Sequence, residues 1–192
     1  MDAVILQKTW TYGDYAALND DKRYEIIEGD ITMMAAPGHD HQSVSGEMLR
    51  QITNHLDERP CRVFHAPFDV ILLKKDELRA IDAKNAVQPD LIIVCDENKI
   101  KNIGCVGTPD IVVEILSPTS AMRDMITKRS LYERFGVQQY WIVSTEERCV
   151  TVLSLENGRF GEPLIVKEGE ILASEILPGL AIDLKKVFSK VG

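Results

Sequence analysis

The chain has 192 residues, 45% of them hydrophobic and 27% charged, enough to bury one core as a single domain (1–192) without disulfides or a structural metal. No run approaches the roughly 20 apolar residues of a membrane span, and Met1 to Trp10 shows no basic region followed by an apolar stretch, so the expected location is the cytoplasm. With 22 basic against 30 acidic side chains the net charge is −8, which argues against a protein that grips many phosphates through its overall charge and leaves room for metal ions and a local basic face.

In chain order, Tyr12 to Leu18 reads as a short helix, and Tyr24 to Ile27 leads through Glu28-Gly29-Asp30 into a second strand at Ile31 to Met34, the grammar of a hairpin. Ala35 to His41, with Pro37 and Gly38, reads as a loop. A helix then starts at Ser43 and runs to about Glu58, because Val44, Met48, Leu49, Ile52 and Leu56 recur at spacings of three and four. Strands are expected at Arg62 to His65, Phe68 to Leu73, Leu91 to Cys95 and Ile111 to Leu116, the last two being continuous apolar runs of the kind buried on both faces. A second long helix runs from about Arg123 to Phe135 and stops at Gly136. Three more strands follow at Gln139 to Val143, Val150 to Leu155 and Leu164 to Val166, and a short helix closes the chain near Leu184 to Ser189. The order implies an α/β fold, a mixed β-sheet flanked by α-helices. Cys61, Cys95, Cys105 and Cys149 are scattered and read as reduced structural thiols rather than a zinc or redox motif.

The chemistry is carried by three side chains. Glu114 is a charge among five apolar residues in Ile111-Val112-Val113-Glu114-Ile115-Leu116, and a buried carboxylate is costly unless it is paired or binds a metal. Asp90 follows Pro89 at the start of the preceding buried strand, 114 − 90 = 24 residues earlier, room for a strand, a loop and a return strand. Lys128 recurs with Leu131, Tyr132 and Phe135 on the sheet-facing stripe of the second helix, so it needs an acid partner; Asp124, one turn earlier, is a local alternative. Two carboxylates and an ammonium at strand ends suit phosphodiester hydrolysis with Mg²⁺ or Mn²⁺, the metal being held by Asp90, Glu114 and the backbone carbonyl of Ile115. Taken singly, each residue also has an ordinary structural explanation: a turn Asp, a salt-bridged Glu, a solvated Lys. Asp110, four residues before Glu114, shares its strand face and is a lower-ranked substitute for Asp90. His39-Asp40-His41 is a weak zinc signal, and the lysines at 74–75, 99–101 and 185–186 are equally ordinary surface or a phosphate track.

Tyr24-Glu25-Ile26-Ile27-Glu28-Gly29, His41 before a helix, Pro89-Asp90, the run Pro109 to Pro118, Asp124 with Lys128 and Tyr132, Gly136-Val137 and Tyr140-Trp141 together resemble the Uma-two family of bacterial endonucleases, from about Trp10 to Leu184. The resemblance implies a restriction-endonuclease-like fold whose usual active site, PD-(D/E)xK, has an Asp on one strand and a Glu-x-Lys on the next. Here Leu116 stands two after Glu114, and the lysine is matched by Lys128 on the following helix. The resemblance also implies that Asp90 is the first catalytic acid, adds Glu25 as a further acid and His41 as a site residue, and leaves Gln139 and Ser144 peripheral. It points to DNA as substrate, and two-strand cleavage points to a homodimer. The competing expectation is a catalytically inactive binding module of the same fold; a hydrolase of small phosphoesters would share the site but not the substrate.

Overall fold

The computed structural model describes residues 8–116 and 121–192, the side chains of residues 121–125 excepted. The N-terminal seven residues and Ser117-Pro118 of the family-like run therefore lie outside the described residues, as does the side chain of Asp124.

Helix α1 (Tyr12–Ala16) is short and starts on a reciprocal cap between Thr11 and Asp14. Strands β1 (Tyr24–Ile27) and β2 (Asp30–Met33) form the expected hairpin, with Glu28 and Gly29 in the left-handed conformation that a two-residue turn requires. Helix α2 (His39–Leu56) begins four residues earlier than expected, so His39-Asp40-His41 is a first helical turn and not a loop. Gly38 supplies an extended N-cap, and Asp40 places negative charge where the helix dipole favours it.

Strands β3 (Arg62–His65), β4 (Val70–Ile71), β5 (Ala86–Val87), β6 (Leu91–Val94), β7 (Ile100–Lys101), β8 (Gly104–Val106) and β9 (Ile111–Leu116) precede helix α3 (Ala121–Phe135). Beyond it come β10 (Gln139–Ser144), β11 (Cys149–Glu156), β12 (Arg159–Phe160), β13 (Leu164–Lys167), β14 (Ile171–Ala173), β15 (Ala181–Asp183) and α4 (Leu184–Val187). One sheet has the order β12-β11-β10-β9-β6-β3, with β13 on β11; it is mixed, because β9 and β10 are parallel across α3 while β6 and β9 are antiparallel. A second sheet, β2-β1-β5-β4-β8-β7, was not foreseen; it draws only Val70 and Ile71 from the expected strand Phe68 to Leu73. Its members after the hairpin are two or three residues long, too short for a periodicity to be read.

The large sheet is buried on both faces. Ile111, Val113 and Ile115 of β9 pack with Val44, Met48, Ile52 and Leu56 of α2, while Val112 packs with Leu131 and Tyr132 of α3. Strand alternation therefore turns Glu114 toward α3. Ile26 joins Tyr12, Ile71, Ala83 and Ala86 in a third cluster, which leaves its neighbour Glu25 on the opposite face of β1.

The cysteines depart from expectation. Cys61 and Cys95 form a disulfide, and only Cys105 and Cys149 are free. The pairing follows from register: Arg62 faces Val94 in the β3–β6 ladder, so the residues one step out, Cys61 and Cys95, face each other too.

Candidate active site

Asp90 and Glu114 are brought together by the same logic. Leu91 pairs with Val113 across β6 and β9, and one step beyond the ladder Asp90 stands opposite Glu114, on the same side of the sheet. One Asp90 oxygen, Oδ2, accepts the Ile115 N–H at 2.7 Å, which ties the carboxylate to the end of β9. The other, Oδ1, lies 3.1 Å from His41 Nε2, delivered by the first turn of α2. In an extended strand the N–H and C=O of one residue share an edge, so the Ile115 carbonyl faces the Asp90 side as well.

Lys128 is the centre of the cluster. Its Nζ lies 2.8 Å from Glu25 Oε1 and 3.0 Å from Glu114 Oε1, and its side chain is only 11% exposed. Glu114 Oε1 also accepts the Tyr132 hydroxyl at 2.7 Å, one helical turn beyond Lys128. Glu25 Oε1 in turn accepts the backbone N–H of Gln88 at 3.1 Å. Five chain segments thus converge: β1 supplies Glu25, α2 supplies His41, the segment into β6 supplies Gln88 and Asp90, β9 supplies Glu114, and α3 supplies Lys128 and Tyr132.

Two carboxylates, Glu25 and Glu114, contact the one ammonium and a third, Asp90, faces Glu114, so the cluster holds more acids than ammonium groups. Burial pushes Glu114 up to about 7, with Asp90 and Glu25 adding to the rise and Lys128 and the Tyr132 hydroxyl opposing it. Burial acts against the charge on Lys128, yet Glu114 and Glu25 outweigh it and hold the ammonium above the ordinary lysine value. Burial together with Glu114 keeps Tyr132 a neutral hydrogen-bond donor, its pKa well above the ordinary value.

Other expected residues fall elsewhere. Asp110 is at the far end of β9, four residues or about 13 Å of strand away; its oxygens accept the Cys95 N–H at 2.7 Å and the Gln138 amide at 2.9 Å, a structural tie between strands and not a substitute for Asp90. Gln139 is buried against Ser154, Trp141 and Ser174, and Ser144 accepts the Glu147 N–H. Among the described residues no group of three or more His, Cys, Asp or Glu is arranged to hold a metal ion by itself, so the zinc reading of His39 and His41 finds no support. Lys74 pairs with Glu28, Lys99 donates to the Thr108 carbonyl and Lys186 pairs with Asp183, so each lysine cluster has a member engaged in local structure.

Gln88 and Tyr132 were not singled out as site residues. Tyr132 was legible as a position on the Lys128 stripe, one turn on. Gln88 contributes through its backbone N–H, and no sequence signal marks that.

The sequence matches the model of the family described as "Uma2: Putative restriction endonuclease" over residues 11–185. A relative from Synechocystis sp. (strain ATCC 27184 / PCC 6803 / Kazusa), "Uncharacterized protein slr1290", is 26% identical over 125 residues, which make up 65% of this chain and 62% of that protein, less than two thirds of its length. The fold is similar to a solved structure described as a "putative nuclease belonging to DUF820" from Anabaena variabilis ATCC 29413. The TM-score is 0.74 at 19% identity, covering 93% of this chain and 97% of that one.

Proposed function

We propose that this chain, which belongs to the Uma2 restriction-endonuclease family, is a divalent-metal-dependent endonuclease that hydrolyses DNA phosphodiester bonds, working as a homodimer. The observation that carries the reading is the buried Lys128 ammonium held between Glu25 and Glu114, with Asp90 facing Glu114 across two strands.

The donor chemistry fits Mg²⁺ or Mn²⁺. The cluster holds more acids than ammonium groups, and its ligands are hard oxygens. Mg²⁺ commonly needs only one or two carboxylates besides waters and substrate phosphate, so a site short of three acidic ligands is compatible with it. Asp90, Glu114 and the Ile115 carbonyl would hold the ion. When bound, it supplies a water of lowered pKa and neutralises charge on the phosphoryl oxygens.

The protein's own groups divide the remaining work. Lys128 presents a permanent cation to a phosphoryl oxygen or to the attacking water. Glu25 fixes the direction of that ammonium from a second sheet, and the Gln88 N–H fixes Glu25. The Ile115 N–H and His41 hold Asp90 from two sides, which limits its rotation before substrate arrives.

Plasmid DNA incubated with the purified protein and Mg²⁺ or Mn²⁺ should be cut, and Asp90→Ala or Lys128→Ala should abolish cutting. Calorimetry should show Mn²⁺ binding that Glu114→Ala removes. Cutting that persists unchanged in both active-site variants belongs to a contaminant and rejects the assignment; absence of metal binding in the unaltered protein favours an inactive binding module.

A further inference from the structure

The chain passes from β5 in the second sheet to β6 in the large one through Gln88, Pro89 and Asp90, and two of these serve the Lys128 cluster. Gln88 gives its backbone N–H to Glu25, and Asp90 faces Glu114. At the far end of this crossing the Asp90 carbonyl accepts the Ala66 N–H at 3.1 Å, and Pro89 has no N–H to give. The near end is held by the side chain of Gln88.

Gln88 is 5% exposed, and its Nε2 lies 2.7 Å from Asp69 Oδ1 and 3.2 Å from the Tyr15 hydroxyl. The Asp69 contact follows from register. Val70 pairs with Val87 across β4 and β5, so one step out Asp69 stands opposite Gln88. The Leu72 N–H bonds to the Asn85 carbonyl in the same register, and bonded pairs alternate along an antiparallel ladder, so Asp69 and Gln88 form a non-bonded pair. Their side chains meet there, while the Gln88 N–H points away from β4, toward β1 and Glu25.

Asp69 is itself fixed. Its carbonyl accepts the Cys105 N–H at 2.7 Å, and its Oδ2 accepts the Tyr12 hydroxyl at 2.9 Å. A carboxylate accepts only from the amide nitrogen, so Asp69 also dictates which way the Gln88 amide faces, and it does so although Oε1 is then buried without a hydrogen-bond partner.

We infer that Asp69 is a positioning residue for the Lys128 ammonium, acting through Gln88 and Glu25. Three hydrogen bonds run in series, from Asp69 to Gln88, from Gln88 to Glu25 and from Glu25 to Lys128. Helix α1 joins the same chain through Tyr12 and Tyr15. A shift of Gln88 displaces both the N–H that holds Glu25 and, two residues on, Asp90. The consequence for rate rests on the nuclease reading above; the placement of the ammonium does not.

The test uses the full chain and two readouts, cleavage of a duplex oligonucleotide in Mg²⁺ and the NMR signal of the Lys128 ammonium in EDTA. Gln88→Met keeps the backbone N–H and the side-chain length while removing the amide, its unpartnered oxygen included, so the fold should persist. It should displace the ammonium signal and lower kcat about 10- to 100-fold with KM unchanged, the scale of loosening a group that orients a site residue. Asp69→Ala should do the same. Asp69→Asn keeps an oxygen for Gln88, and the Tyr12 hydroxyl can donate instead to the Ile103 carbonyl, 3.2 Å away, so both readouts should return to those of the unaltered protein. Should Gln88→Met or Asp69→Ala fail to fold, Tyr15→Phe, which removes the second acceptor of the Gln88 amide, should displace the same signal. An ammonium signal that stays in place in the folded variants overturns the proposal, as does an Asp69→Asn defect equal to that of Asp69→Ala. A displaced signal in a protein that cuts no DNA upholds the positioning and rejects the nuclease; cutting with the signal unmoved does the reverse.

Discussion

Replacing Lys128 with methionine keeps a long apolar side chain and removes the cation between two acids. Nζ is 2.8 Å from Glu25 Oε1 and 3.0 Å from Glu114 Oε1, and Glu25 already raises Glu114 in the unaltered protein, so what the substitution removes is the attraction of the ammonium. At an effective dielectric constant of about 20, opposite charges 3.0 Å apart attract by about 5–6 kcal/mol, equivalent to roughly 4 pK units. Glu114, pushed up to about 7 with the lysine in place, therefore titrates well above neutrality without it. A carboxyl whose folded pKa lies above its unfolded value contributes stability that is fully present below the unfolded pKa and is lost as pH rises through the folded one. In the unaltered protein the Glu114 share of that loss is complete near 7, whereas in Lys128→Met it continues upward. The stability gap between the two proteins should thus widen by about 1.4 kcal/mol per pH unit above neutrality, reaching about 3 kcal/mol near pH 9. Urea denaturation in EDTA at about pH 6 and about pH 9 measures it. A gap of equal size at both values would refute the claim that the ammonium separates two buried charges.

Two further outcomes follow from single contacts. Tyr132→Phe removes the hydroxyl that donates to Glu114 at 2.7 Å, should cost about 2 kcal/mol in urea denaturation, and should raise the Glu114 pKa further, because that bond favours the charged form. Gly104→Ala places a Cβ 2.3 Å from the Asp69 carbonyl oxygen at a φ of +130°, so it should lose at least about 2 kcal/mol and lower Tm by about 4–8 °C, read by calorimetry.

The amino-acid pattern alone determined the elements with a long enough period: the β1–β2 hairpin, α2 from its four-residue apolar spacing, the continuous apolar strands β6 and β9, and α3 with Lys128 on its inward stripe. It also marked Glu114, because a carboxylate inside an apolar strand needs a partner wherever the strand goes. Local rules carried that information, and they carried it well.

What only the tertiary structure decided is which distant groups meet. Glu25 is 103 residues from Lys128 and reaches it across a second sheet whose two- and three-residue strands leave no readable period. Asp90 faces Glu114, and Cys61 faces Cys95, through ladder register, and a slip of one residue would reverse both. Gln88 acts on Glu25 through a backbone N–H that every residue but proline possesses, so its identity reveals nothing until the chain is folded around it.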